Sequence, residues 1–226
     1  MIAAIVNAAV IILGSLVGLL LHGKLPERYN DAISKGLGLC TVVIGLSTAL
    51  KTANMLIVIM SVAIGGFIGC LIDIEKWLGR LGTVIESRFS KGEEGSFAKG
   101  FVTASLLYCV GAMAIVGSLD AGLRGDYSTI FAKSVLDGVM AIFLTGSCGI
   151  GVMASAVTVL VYQGFITLLA GAVEPVLTAA VVTEMSAAGG VLIMGIGLNL
   201  IRKEHIPVGN LLPAVLLPIV LTGLFL

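Results

Sequence analysis

Charge is what this chain has least of. Lys, Arg, Asp and Glu make up 12% of its 226 residues, against about 25% in soluble domains. Thirteen cations balance thirteen acids, and a net charge of zero excludes the basic footprint of a nucleic-acid binder. Cysteine is sparser still. Cys40, Cys70, Cys109 and Cys148 stand singly in or beside apolar runs, without the paired spacing of zinc, haem or thioredoxin-like sites, and read as packing residues. The two histidines, His22 and His205, fall at the ends of apolar runs, so neither a metal site nor a cofactor is expected. No HExxH, GxSxG or phosphate-binding GxxxxGKS/T occurs, and the chain does not read as an enzyme.

What the chain does have is apolar length: 58% hydrophobic residues and a mean hydropathy of +1.13. That composition predicts an all-α polytopic membrane protein. About eight runs are long enough to span, at residues 2–21, 31–50, 54–72, 98–118, 127–146, 149–171, 177–201 and 207–226, and no period-2 barrel pattern is present. The first run starts at Met1 with no basic segment before it and is kept as a span rather than a leader. The Gly-Ser-Cys-Gly stretch at 146–149 predicts a tight helical hairpin. Glycine is abundant, 30 residues, with Gly14 and Gly18, and Gly65 and Gly69, in small-xxx-small spacing. Such spacing lets helix backbones approach closely within one chain or between copies, and a homo-oligomer is expected. Gly189-Gly190, in the middle of the seventh run, reads either as packing or as a break in the span.

Lys and Arg set the orientation. With alternating spans, ten fall on one side, among them Lys24, Lys76, Arg80, Lys99 and Arg202, and only Lys51 and Arg124 on the other. Both termini are therefore expected outside a bacterial inner membrane. The segment 73–96 carries Ile74, Trp77, Leu78, Leu81, Ile85 and Phe89 at helical spacing opposite Glu75, Lys76, Arg80 and Glu86. It predicts a cytoplasmic interfacial helix, either a plain connector or a partner-docking element. Arg124-Gly125-Asp126 reads as a turn at the outer end of a hairpin.

Function is sought in the acids that lie inside apolar runs, because water cannot solvate them there. At about 1.5 Å per residue, Lys133 lies roughly 9 Å and Asp137 roughly 15 Å deep in the fifth span, on one face because they are four apart. They read either as an internal salt bridge or as a cation or proton site. Glu184 lies about 10 Å deep in the seventh span, and Asn7 at a similar depth in the first. Three polar groups from three spans at these depths suggest one shared cavity. Asn199 and Asn210 would line the opposite, inner end, or make plain interhelical hydrogen bonds.

A shift of 152 residues lays ISKGLGLCTVVIGLS (33–47) on MSAAGGVLIMGIGLN (185–199) with five identities in fifteen, including Gly38 on Gly190 and Ile44-Gly45-Leu46 on Ile196-Gly197-Leu198. The second and seventh spans run in opposite directions. A true repeat would therefore relate a first three-helix unit, 1–72, to a second, 149–226, by inversion, with a hairpin at 98–146 inserted after the 73–97 connector. The alternative is chance similarity in apolar sequence.

The opening AIVNAAVIILGSLVGLLLHGKLPE, the GLGLCTVVIGLSTAL segment and the closing GGVLIMGIGLNLI with VGNLLPAVLLP resemble the bacterial integral-membrane proteins grouped as domain of unknown function 554. The resemblance covers essentially the whole chain. Members are labelled transport proteins, so it implies a transport role as a label only, with no substrate and no catalytic residue to carry over. The reading that results is a transporter or channel for a small solute or ion, embedded in the bilayer, with Asp137, Glu184, Lys133, Asn7, Asn199 and Asn210 as pathway residues. The rival is a non-transporting scaffold or regulator acting through 73–96.

Overall fold

The computed structural model describes residues 1–21, 27–77, 80, 96–109, 112–202 and 205–225, and among these every regular element is helical. The elements are α1 (Ile2–Leu21), α2 (Glu27–Ala49), α3 (Met55–Ile72), α4 (Ser96–Cys109), α5 (Ala112–Leu123), α6 (Ser128–Cys148), α7 (Gly151–Leu168), α8 (Ala179–Ile201), a 3-10 segment (Val208–Val215) and α9 (Pro218–Phe225). A short helical turn, Ala170–Val173, follows α7. Most of the helix expected over 73–96 lies outside the described residues; a helical turn is present at 74–77.

Among the described residues five helices, α1, α3, α6, α7 and α8, are each long and apolar enough to cross a bilayer, and the number rises to as many as seven if each of two bent pairs is one span. The apolar part of α2, Lys35–Ala49, reaches only about 22 Å at the helical rise, short of the roughly 30 Å hydrocarbon core. Its first turns carry Glu27, Arg28 and Asp31 instead. The bent pairs depart from the straight spans expected at 98–118 and 207–226. Helices α4 and α5 meet at 58°, and the 3-10 segment meets α9 at 49°. Proline explains the second bend: Pro213 and Pro218 supply no N–H to the ladder and clash with the preceding turn. By contrast α8 runs unbroken through Gly189-Gly190, so those glycines serve packing.

Backbone-to-backbone contact at glycine sets how the helices pair. Gly14 lies against Gly138, and Gly18 against Ile142 and Thr145, so α1 and α6 run parallel. Gly45 lies against Gly190 and Met194, and Gly38 against Gly197 and Leu200, so α2 and α8 run antiparallel. Gly65 and Gly69 receive Ala214 and Asn210 of the 3-10 segment, antiparallel to α3. Helix α4 runs beside α7, with Gly100 against Val152 and the Ser105 hydroxyl 3.3 Å from that of Thr158. Between these pairs lies a core of Ala8, Ile11, Tyr108, Leu144, Val152 and Val159. Leu13, Phe67, Leu71, Val135, Val157 and Leu168 point outward, an apolar surface suited to lipid.

The turns follow their local chemistry. Gly149 (φ 74°) ends α6 and allows α7 to start at Gly151, the tight hairpin expected there. Gly125 (φ 66°) makes the turn before α6, and the Asp126 carboxylate accepts the Ser128 N–H at 2.9 Å. That N–H and the Ser128 hydroxyl hold the Asp126 carboxyl below the usual carboxylate range.

A Cβ on Gly45 would sit 2.6 Å from the Gly190 carbonyl oxygen and from the Met194 nitrogen, whereas one on Gly36 would meet nothing within 4 Å. Gly45→Ala is therefore expected to cost about 1–3 kcal/mol, and Gly36→Ala close to nothing. Thermal unfolding of the two purified variants checks this, and equal melting temperatures would refute the tight α2–α8 seam.

Candidate functional site

Three of the six polar residues singled out in the sequence converge. On α6, Lys133 and Asp137 are one helical turn apart, each 6% exposed, and the Lys133 ammonium donates to Asp137 Oδ2. The register of α1 on α6 brings the fully buried Asn7 alongside. Its Nδ2 donates to the same Asp137 oxygen at 3.0 Å and to Gln163 Oε1 at 3.2 Å. The Lys133 nitrogen also stands 5.8 Å from the centroid of the Tyr108 ring. Four helices, α1, α4, α6 and α7, thus contribute to one polar knot inside an apolar core.

Sequence reasoning missed two members of this knot. Gln163 is the chain's only glutamine and sits inside an apolar run, a signal of the same kind as the buried acids. Tyr108, in the middle of the 98–118 run, carried a weaker signal, because its ring is apolar and only its hydroxyl asks for a partner. The knot has spare hydrogen-bonding capacity. Among the described residues Asn7 Oδ1, Gln163 Nε2 and the Tyr108 hydroxyl have no partner although all are buried. Buried polar atoms of this kind are the usual places for bound water.

Glu184 lies elsewhere. From α8 it reaches the α2–α3 connection, where its carboxylate accepts the Thr52 hydroxyl at 2.5 Å, the Ala53 N–H at 2.7 Å and the Asn54 N–H at 3.3 Å. Three donors satisfy a carboxylate that is 0% exposed. The arrangement ties the loop at 51–54 to α8 beside the N-cap of α3, where Asn54 accepts the Leu56 N–H.

Asn199 and Asn210 build a third cluster at the opposite end of the bundle. Asn199 clamps Ile206 from both sides, donating to its carbonyl and accepting from its N–H, each at 2.8 Å. Asn210 Oδ1 accepts the Glu75 N–H at 2.8 Å. The Glu75 carboxylate in turn accepts the Gly209 N–H at 2.5 Å and pairs with His205 Nε2 at 2.8 Å. This carboxylate sits at the start of the 3-10 segment, where unpaired N–H groups favour an anion.

Two cavities lie between α4, α8 and the last span. The larger, about 670 Å³, reaches both bends: Cys109 and Ile115 border it on either side of the first, and Pro213, Val215 and Leu216 at the second. Its wall is mainly apolar, with Ser105, Thr158, Tyr162 and Ser186 as polar points. The smaller, about 390 Å³, lies toward the Asn199 cluster and is lined by Glu75, Lys99, Asn199 and His205 among others. Val102 borders both. A plug of Leu106, Leu192, Ile196 and Val208 packs beside them. Cys109, on the wall of the larger cavity, directly follows Tyr108, whose ring faces the Lys133 nitrogen, so the polar knot lies just behind that wall.

Removing one member of a buried pair leaves the other charge uncompensated, typically at a cost of about 3–5 kcal/mol. Asp137→Asn is expected to lose stability on that scale, and the double variant Lys133→Met/Asp137→Leu to recover most of it. Thermal unfolding of the single and double variants measures the coupling. A double variant no more stable than Asp137→Asn would show that the two residues do not act as a pair.

The family described as "Protein of unknown function (DUF554)" matches residues 2–223. The chain is 31% identical over 222 residues to "Uncharacterized membrane protein YdfK" of Bacillus subtilis (strain 168), covering 96% of this chain and 94% of that protein. It is 30% identical, with the same coverage, to "Uncharacterized protein YqgA" of Escherichia coli (strain K12). No solved structure matches. With an apolar helical bundle and a family match along nearly its whole length, the chain is a membrane protein that belongs to the DUF554 family.

Proposed function

We propose that the protein carries a small solute or ion across the bacterial inner membrane through the space between its two bent spans. The observation that carries this reading is that both bends border one cavity of about 670 Å³. Transporters use interrupted helices in this way, because a break exposes backbone dipoles to a ligand near the midplane. The volume falls in the range of about 300–1,000 Å³ usual for small-molecule sites. The smaller cavity serves as the vestibule, and the Leu106–Leu192–Ile196–Val208 cluster packs beside both. A proton or cation step is assigned to the Lys133–Asp137 pair behind Cys109. Glu184 acts at the far mouth, where it holds the α2–α3 loop.

The glycine contacts between α2 and α8 support this reading through the inverted repeat we propose. At the 152-residue offset Gly38 and Gly45 correspond to Gly190 and Gly197, and the contacts formed are Gly38 with Gly197 and Gly45 with Gly190. A twofold rotation that exchanges α2 with α8 turns each contact into the other. Thr41 and Ile193, also 152 apart, are both buried. The third helices of the two units differ: α3 is one helix and the last span is bent.

The competing reading, a scaffold acting through 73–96, draws on the complete pairing of Glu184. Transport separates from it in reconstituted vesicles screened against small solutes. The double variant Lys133→Met/Asp137→Leu and Glu184→Gln are expected to remove flux in protein that still folds, whereas a scaffold predicts no flux from the unmodified protein. The orientation that accompanies the proposal has both termini outside and Lys76, Lys99 and Arg202 inside. In a background without the four native cysteines, Arg124→Cys should react with an impermeant maleimide on intact cells and Gly92→Cys should not; the reverse pattern inverts the topology.

A further inference from the structure

We infer that the two cavities together bind a small organic anion with an apolar body, a monocarboxylate in the simplest case, with its acid group at Lys99 and its body in the larger cavity. This names the substrate class of the transport site proposed above and rests on that reading.

The cavities meet at Val102. Along α4, Lys99 borders the smaller, Val102 both, and Ser105 and Cys109 the larger. Along the last span, Gly209 borders the smaller and Leu212 the larger. A ligand extended along these segments would therefore meet polar groups at one end and apolar groups along the rest.

The sign of the polar end follows from charge. Among the described residues, three ionisable side chains face the smaller cavity: Glu75, Lys99 and His205. The Glu75 carboxylate is already engaged by the Gly209 N–H and by His205. Lys99 has no acidic partner among the described residues. It also stands in the first turn of α4, which carries no acidic residue, so its ammonium adds to the positive end of the helix dipole where an anion is favoured. A carboxylate beside Lys99 would relieve that repulsion and gain a charge-assisted hydrogen bond.

Trp77 is the chain's only tryptophan and borders the larger cavity, so its emission reports occupancy. The whole protein, in nanodiscs of zwitterionic lipid, is titrated with three brominated probes of equal tail length: omega-bromoundecanoate, omega-bromoundecanol and omega-bromoundecyl-trimethylammonium. The carboxylate is expected to quench Trp77 saturably and to be displaced by unbrominated undecanoate. The alcohol and the ammonium should quench only in proportion to their partition into lipid. Lys99→Gln should weaken carboxylate binding roughly tenfold, Lys99→Arg should preserve it, and Ser105→Phe should abolish it by filling the cavity. Equal saturable binding of all three probes, preference for the cation, or an unchanged Lys99→Gln overturns the anion class while leaving the cavity as a site. Displacement of the carboxylate by phosphatidylglycerol added to the nanodiscs would make this a lipid site and overturn the proposal. Absence of saturable quenching by any probe removes the site itself. Saturable binding without undecanoate flux in vesicles leaves the site standing and defeats transport.

Discussion

Contact between glycine backbones is the interaction on which this bundle depends. In hydrocarbon, helices gain nothing by burying leucine against leucine, since lipid tails offer the same environment; association rests on close packing and on hydrogen bonds. Gly14 and Gly18 bring α1 down onto α6, and Gly38 and Gly45 bring α2 onto α8. The register so imposed decides which polar groups meet. Asn7 lies two turns before Gly14 and so arrives level with Lys133 and Asp137, to within 3.0 Å of the carboxylate. The polar knot is a consequence of the seam beside it.

Polar groups in such an interior must find partners within the protein, and the three clusters meet that demand differently. Glu184 is served by three donors from one short loop, which makes it a fastening. Glu75 and Asn210 likewise bind the end of α3 to the start of the last span. The Lys133–Asp137 knot is the incomplete one, with Asn7 Oδ1, Gln163 Nε2 and the Tyr108 hydroxyl unpartnered among the described residues. Fastenings hold a scaffold rigid, whereas spare donors and acceptors permit water or a proton to enter. That contrast is why the proposed coupling step is assigned to Asp137 rather than to Glu184.

The bends in the fourth and last spans have the opposite effect to the glycine seams. Where α2 and α8 close together, the corners at Cys109 and at Leu216 hold their neighbours apart and leave a cavity. Small side chains along straight helices therefore make the tight parts of the molecule, and interruptions make its open part. Proline at 213 and 218 sets one corner.

Much of this was legible from composition and spacing. An all-helical membrane bundle follows from long apolar runs, because a chain in hydrocarbon must pair its backbone internally. The glycine spacings announced their packing role, and Lys133 and Asp137 announced a shared helix face because four residues make about one turn. Span number was less certain, since hydropathy records apolar length and α2 begins with two charged turns. Tertiary structure alone decided the rest. Nothing in the local sequence distinguished Gly189-Gly190, inside a straight helix, from a break, because glycine permits both and the fit of Ala49 and Gly45 against it selects one. Asn7 and Glu184 had similar depths, yet helix register placed one in the knot and the other on a loop. The cavity was invisible in the chain for the same reason: it is the space between segments far apart in sequence, and only their packing defines it.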